Sequence, residues 1–262
     1  MVSHPALAER LAAAFDTAAV VEPEKADLPV DYAAAAAVRD ALSARTGRPE
    51  AFKLGATIAE VRANLGLPRA FFGPLPAARI FADSATVAGP AARQTGVESE
   101  YGFRLAVAVT AASLPADVAA LLPMIDAVHP ALEIPGTRFS KLGGHGGLAL
   151  MADGGAAGAL VLGPAVPFDP AADYAAAPVR LEIGGVPAAE GRGDIIDGGP
   201  LAPIPGFLRD ALAAGYSLPA GTVIVTGSCT GYIEAPRGAE VVARFAALGD
   251  ASVSMRFGAG PA

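Results

Sequence analysis

A net charge of −7 over 262 residues argues against a nucleic-acid or anionic-membrane partner, yet a bound divalent cation would still admit an anionic small substrate. A hydrophobic share of 53% against 17% charged residues excludes a disordered chain and fits one large or two small packed domains. The single Cys229 excludes an intramolecular disulfide framework and a multi-cysteine zinc site, and with only His4, His129 and His145 a His-rich metal site is not expected. The N-terminus lacks a basic stretch leading into an apolar core, and no uninterrupted apolar run reaches about 18 residues. A soluble, cytoplasmic protein is therefore expected.

The chain opens on Ser3-His4-Pro5, where Ser3 can cap a helix with Pro5 in its first turn and Leu7, Leu11 and Phe15 on one side. Pro23 and Pro29 interrupt. Asp31 can cap a second helix running to Ala44, with Gly47 beyond its end. Residues 1–50 thus read as a helical N-terminal section for packing or dimer support, and residues 51–262 as a β-rich domain of catalytic type. Residues 51–55 form a short strand, and Thr57-Ile58-Ala59-Glu60 is a capping-box pattern for a helix ending at Gly66. Lys53 therefore precedes a tight strand-to-helix turn, where a side chain can enter a site, although a strand-end Lys is ordinarily a surface residue. Phe71-Phe72-Gly73-Pro74-Leu75 reads as an apolar loop.

The stretch from Val97 to Val109 has the two-residue period of a strand. Val97, Tyr101, Phe103 and Leu105 share one face with Ser99, and Glu98, Glu100, Gly102 and Arg104 share the other. Two same-face carboxylates lie about 7 Å apart along a strand and repel unless a cation sits between them. A third carboxylate, Glu133, stands inside the apolar run Ala131-Leu132-Glu133-Ile134, where a buried charge needs a partner or a metal. Three oxygen donors suit Mg²⁺ before Mn²⁺ or Ca²⁺. The spacing leaves a second reading open, with Glu98 and Glu100 on a solvated face and Glu133 paired to an Arg.

Between these strands a helix is expected from Ser113 towards Leu122, disturbed by Pro123. Residues 141–147, Lys-Leu-Gly-Gly-His-Gly-Gly, lack the ending and setting of a phosphate loop and read as a mobile loop or lid. Strands follow at 158–162 and 178–183, the latter turning through Gly184-Gly185 into a hairpin. A helix over 205–214 ends at Gly215, and strands at 222–226, 240–246 and 252–257 finish the chain.

The order of motifs is more specific than any one of them. Lys53-Leu54-Gly55-Ala56-Thr57, Phe72-Gly73-x-Leu75, Glu98-x-Glu100, Pro130-Ala131-Leu132-Glu133-Ile134, Gly158-x-x-Val161-Leu162-Gly163 and Pro219-Ala220-Gly221-Thr222-x-Ile224-x-Thr226-Gly227 occur in succession. This order resembles the 2-keto-4-pentenoate hydratase and 4-oxalocrotonate decarboxylase family of the fumarylacetoacetate hydrolase superfamily, from about Phe52 onward and more loosely before it. The resemblance implies an α+β fold with a mixed, rolled β-sheet and a metal at its mouth. It implies Glu98, Glu100 and Glu133 as metal ligands, Lys53 as the catalytic lysine, and substrate contacts from Phe72, Leu75, Asp153 and Thr226. The cofactor implied is Mg²⁺, with Mn²⁺ an alternative, the substrate a small 2-oxo acid of aromatic catabolism, and the assembly a homo-oligomer.

Several positions depart from the family pattern. Phe71 stands where an Asp usually precedes the Phe-Gly, and Asp153-Gly154-Gly155-Ala156-Ala157 replaces an Asp-Asn-Ala-Ser-like run. An upstream Asp becomes Ala149, a small polar residue becomes Asp194, and a downstream His becomes Gly199. The leading expectation is a Mg²⁺-dependent lyase that hydrates a 2-oxo-enoate or decarboxylates a 2-oxo acid through an enolate. The alternatives are an acylpyruvate-type C–C hydrolase, with His145, Asp153 or Asp194 as base, and a non-enzymatic paralogue that retains the metal pocket. The loss of polar groups points to mono-acids with apolar tails.

Overall fold

The computed structural model describes residues 5–261, so the expected Ser3 cap lies outside the described residues. Two helices lead, α1 (Pro5–Ala13) and α2 (Tyr32–Thr46). Asp31 caps α2 by accepting a 2.7 Å bond from the Ala34 N–H, and Gly47 ends it. Next come β1 (Pro49–Gly55), α3 (Ala59–Leu65), β2 (Phe71–Pro76), β3 (Ile80–Ala82), β4 (Ala85–Val87) and β5 (Gly96–Leu105). The middle holds α4 (Val118–Leu121), β6 (Ile125–Pro135), α5 (Gly146–Ala152), β7 (Ala157–Leu162), β8 (Val166–Pro167), β9 (Val179–Ile183) and β10 (Val186–Gly191). The chain closes with α6 (Ile204–Ala213), β11 (Val223–Val225), β12 (Ile233–Glu234), β13 (Glu240–Phe245) and β14 (Ala251–Phe257).

These strands form two mixed sheets, giving the α+β class expected. The first runs β2-β1-β11-β5-β6-β7-β3, with β12 and β8 paired to β5 and β6; the second runs β10-β9-β13-β14-β4. Between the sheets lies the main core, where the expected face of β5 packs. Tyr101, Phe103 and Leu105 are buried there, with the Tyr101 ring edge-on to Phe245 at 5.0 Å. The opposite face of the first sheet is concave. Ala51, Leu75, Ala131, Leu160, Val223 and Val225 fill part of it as a small separate core. The sheet rolls far enough that a side chain at Gly73 of β2 would collide with the Gly154 carbonyl beside β7. The hairpin joining β9 to β10 turns on Gly184 and Gly185, both at positive φ as a two-residue turn requires.

Four local expectations change. Residues 71–75 are not a loop but the strand β2, buried along its length. β2 lies at the sheet edge, where Pro74 needs no partner for a missing N–H. Ile58, not Thr57, occupies the cap position of α3, and no side chain closes a capping box there. The helix expected from Ser113 starts only at the Asp117 cap, whose side chain accepts from Ala120 N–H. The glycine-rich stretch ends in a short helix, α5, because Leu148, Leu150 and Met151 pack against α1, α2 and Phe71 in the helical core.

Candidate metal centre and its cavity

Strand pairing brings the four charged residues together. β5 and β6 run antiparallel with Glu98 opposite Glu133 and Glu100 opposite Ala131. β11 separates β5 from β1 and pairs Val225 with both Gly102 and Lys53. Lys53, Glu100 and Glu133 are buried and Glu98 is half-buried. One carboxylate oxygen from each glutamate lies within 4.8 Å of the others. Lys53 Nζ stands 3.6 Å from Glu133 Oε1, an ion-pair distance rather than a hydrogen bond. The Gly227 N–H donates to Glu100 Oε2 at 2.8 Å. Glu100 Oε1 and both oxygens of Glu133 are buried without a hydrogen-bond partner.

Like charges directly opposite on neighbouring strands destabilise a sheet, and buried carboxylates without partners cost more still. Three acids against one lysine leave an excess of negative charge. Burial, then the Glu98 charge, pushes the Glu100 carboxyl up to about 8, against the pull of Lys53 and the Gly227 N–H. Glu133 is raised too, by burial first, with Lys53 opposing and the other two acids adding. Burial pulls the Lys53 ammonium down, but the three carboxylates outweigh it and hold its pKa above the ordinary lysine value.

A pH dependence follows. Glu100 titrates near 4.5 when unfolded and near 8 when folded, so its protonated form favours the fold. That contribution is complete below the unfolded value and is lost as pH rises through about 8. Thermal melts of metal-free protein should therefore show Tm falling between pH 6 and 8.5. Saturating Mg²⁺ should flatten the fall, and an identical slope with and without the ion would contradict the metal assignment.

A cavity of about 370 Å³ opens beside Lys53 and Glu98. Its wall is mostly apolar: Ile58 at the cap of α3, Val61 and Leu65 within it, with Phe71, Leu150 and Ile195. Thr57, Ser228 and Tyr232 supply hydroxyls, and Lys53 is the one cationic side chain among the described lining residues. Tyr232 reaches the site because its ring lies against Gly96, where any side chain would overlap it.

The other expected substrate contacts fall elsewhere. Phe72 alternates to the opposite face of β2, under the Arg39 guanidinium, which sits 3.6 Å above its ring. Leu75 shares the concave face, but it pairs with Ala51, two residues deeper than the Lys53–Gly73 pair, and is sealed in the small core. Asp153 is fully buried, one oxygen taken by Arg138 Nε and the other by Thr137 Oγ1 and the Arg138 N–H. Thr226 is buried next to Gly227, its Oγ1 unpartnered and outside the cavity lining. Of the departures from the family pattern, Phe71, Gly155 and Ala156 face the cavity, whereas Ala149 belongs to the helical core. The α3 wall, Ile195 and Tyr232 carry no local sequence signal, since only the fold brings them to the mouth of the roll.

No protein-family model matches the chain. Solved structures share its fold. 4-Oxalocrotonate decarboxylase from Pseudomonas putida G7, complexed with magnesium and adipate, superposes with a TM-score of 0.83 at 22% identity, over 97% of each chain. Fumarylpyruvate hydrolase from Pseudomonas aeruginosa, in complex with Mn²⁺ and pyruvate, gives 0.59 at 16% identity, over 80% of this chain and 89% of that one. 2-Hydroxyhepta-2,4-diene-1,7-dioate isomerase from Mycobacterium marinum gives 0.57 at 15%, over 81% and 75%. The chain thus shares the α+β fold of these solved structures.

Proposed function

We propose that this protein is a divalent-metal-dependent lyase acting on a small 2-oxo acid with an apolar tail, by hydration of a 2-oxo-enoate or by decarboxylation. The observation that carries this reading is the convergence of Glu98, Glu100 and Glu133 with buried, unpartnered oxygens. An oxygen-only donor set of this kind fits Mg²⁺, or Mn²⁺ in its place. When bound, such an ion would polarise the keto oxygen as a Lewis acid and favour the enolate. The three glutamates would hold it, and the Gly227 N–H fixes the orientation of Glu100. Lys53, kept as an ammonium by its acidic neighbours, would donate to a substrate oxygen on which negative charge develops. The apolar wall would exclude water from that charge and strengthen the interaction.

The hydrolase alternative needs a base to activate water. Neither His145 nor Asp194 lines the cavity, and both Asp153 oxygens are engaged by Thr137 and Arg138. That favours the lyase. The named ligand of one structural neighbour, adipate, has two carboxylates. Here the described residues of the cavity wall offer no second cation for a distal carboxylate. A metal-dependent assay of a short 2-oxo-enoate beside a 2-oxo dioate of matched length should therefore show faster turnover of the mono-acid, and faster turnover of the dioate would refute the substrate class. Product analysis over a 2-oxo acid panel separates the reactions: a hydroxy acid or carbon dioxide for the lyase, two carboxylic acids for the hydrolase. Metal binding with no turnover of any member would favour the non-enzymatic alternative.

A further inference from the structure

One aromatic ring ends the cavity at the carboxylates. The cavity at the carboxylates and a second of about 280 Å³ share Leu54 and Phe71 in their walls. The second lies on the opposite face of β2, between it and the start of α6, against Phe72, Phe207 and Gly206, and ends near the Arg69–Asp210 ion pair. Phe71 is buried and its ring is clamped. A Cβ built on Gly55 would lie 2.4 Å from it and one on Gly155 3.1 Å, so the two glycines leave the space the ring occupies. The β1–β2 register sets Phe71 opposite Gly55, two residues beyond the Lys53–Gly73 pair. The ring's strand position is thus roughly 7 Å along from the lysine.

We propose that Phe71 is a specificity-determining residue. Its ring ends the apolar tail of the 2-oxo acid within the first cavity, and the space the ring fills against Gly55 and Gly155 would receive a longer tail once it is removed. This rests on the 2-oxo acid reading of the site. The test is calorimetric binding of saturated 2-oxo acids from four to ten carbons in the presence of Mg²⁺. For the wild type, affinity should rise with tail length and then stop rising or fall. Phe71→Ala should carry the rise past that break, by roughly fourfold per added methylene, and Phe71→Leu should move the break less far. Adding Gly206→Leu to Phe71→Ala should leave the gain in place, because Gly206 lines the second cavity on the opposite face of β2, and a Cβ there meets nothing within 4 Å. Unchanged Mn²⁺ affinity certifies that each variant is folded. A break at the same length in the wild type and both Phe71 variants would overturn the proposal. Loss of the gain on adding Gly206→Leu would overturn the placement of the tail in the first cavity. No binding of the four-carbon acid to the wild type would overturn this proposal together with the reading it rests on, whereas binding with an unmoved break overturns this proposal alone.

Discussion

Glu133→Gln is expected to weaken Mn²⁺ binding by more than about a hundredfold, the upper range for losing only an outer-sphere partner of a metal ligand. The same variant should melt at a higher temperature than the wild type when both are metal-free. Glu133 is fully buried, directly opposite Glu98, with neither oxygen hydrogen-bonded. A neutral side chain of the same shape removes the charge from that environment and the cross-strand repulsion with it. Lys53 keeps Glu98 as a counter-charge, joined by Glu100 above about pH 8, so no orphan cation results. The opposite signs of the two effects separate a site built to hold an ion from a structural ion pair, whose removal would destabilise. Calorimetry with Mn²⁺ and paired melts measure both, and unchanged affinity would remove Glu133 from the ligand set.

Lys53→Met should lower kcat by about 10²–10³-fold, the scale of losing one preorganised donor to a developing oxyanion, while KM changes only a few-fold. A contact that strengthens as charge develops shows in kcat more than in ground-state binding. Lys53→Arg should not restore the rate. The stem of Lys53 runs so close to β2 that a Cβ on Gly73 would lie 3.1 Å from its Cγ, and a planar guanidinium fork needs more width than a compact ammonium. Assays at saturating Mg²⁺ keep the metal site filled while the lysine is changed. Wild-type turnover by Lys53→Met would exclude the catalytic role.

Much of this site could be read from local sequence because a strand's faces alternate. The separation of Glu98 and Glu100 from Tyr101 and Phe103 needs only the two-residue period, and Glu133 announces itself as a charge in an apolar run. That Glu133 faces Glu98 is a register between distant segments, which no local period contains. The strand β2 was hidden by Gly73 and Pro74, residues that a sheet tolerates at its edge and that otherwise mark loops. Phe72 and Leu75 belong to matching motifs, yet alternation turns the first to the opposite face and depth along the roll seals the second. Thr57 resembled a helix cap because a capping box and a cavity-facing threonine at a strand end share the same letters. The apolar wall comes from α3, Ile195 and Tyr232, and tertiary packing alone assembles it.

The three-residue strand β11 has a consequence for the order of assembly. It lies between β1 and β5 and, among the described residues, is the only strand that joins the lysine's strand to the glutamates' strands by sheet pairing. A chain emerging from the ribosome thus carries β1, β5 and β6 well before residues 223–225 exist to join them. The β5–β6 pair can form early from its own antiparallel register, bringing Glu98 and Glu133 into repulsion with no lysine to offset it. Lys53 is held in hydrogen-bonded register with β5 through a segment some 170 positions later that docks in parallel beside it, a pairing of large sequence separation. The hydrogen-bonded frame of the pocket is therefore complete only once β11 has been made, and a divalent ion present during synthesis would offset the Glu98–Glu133 repulsion until then.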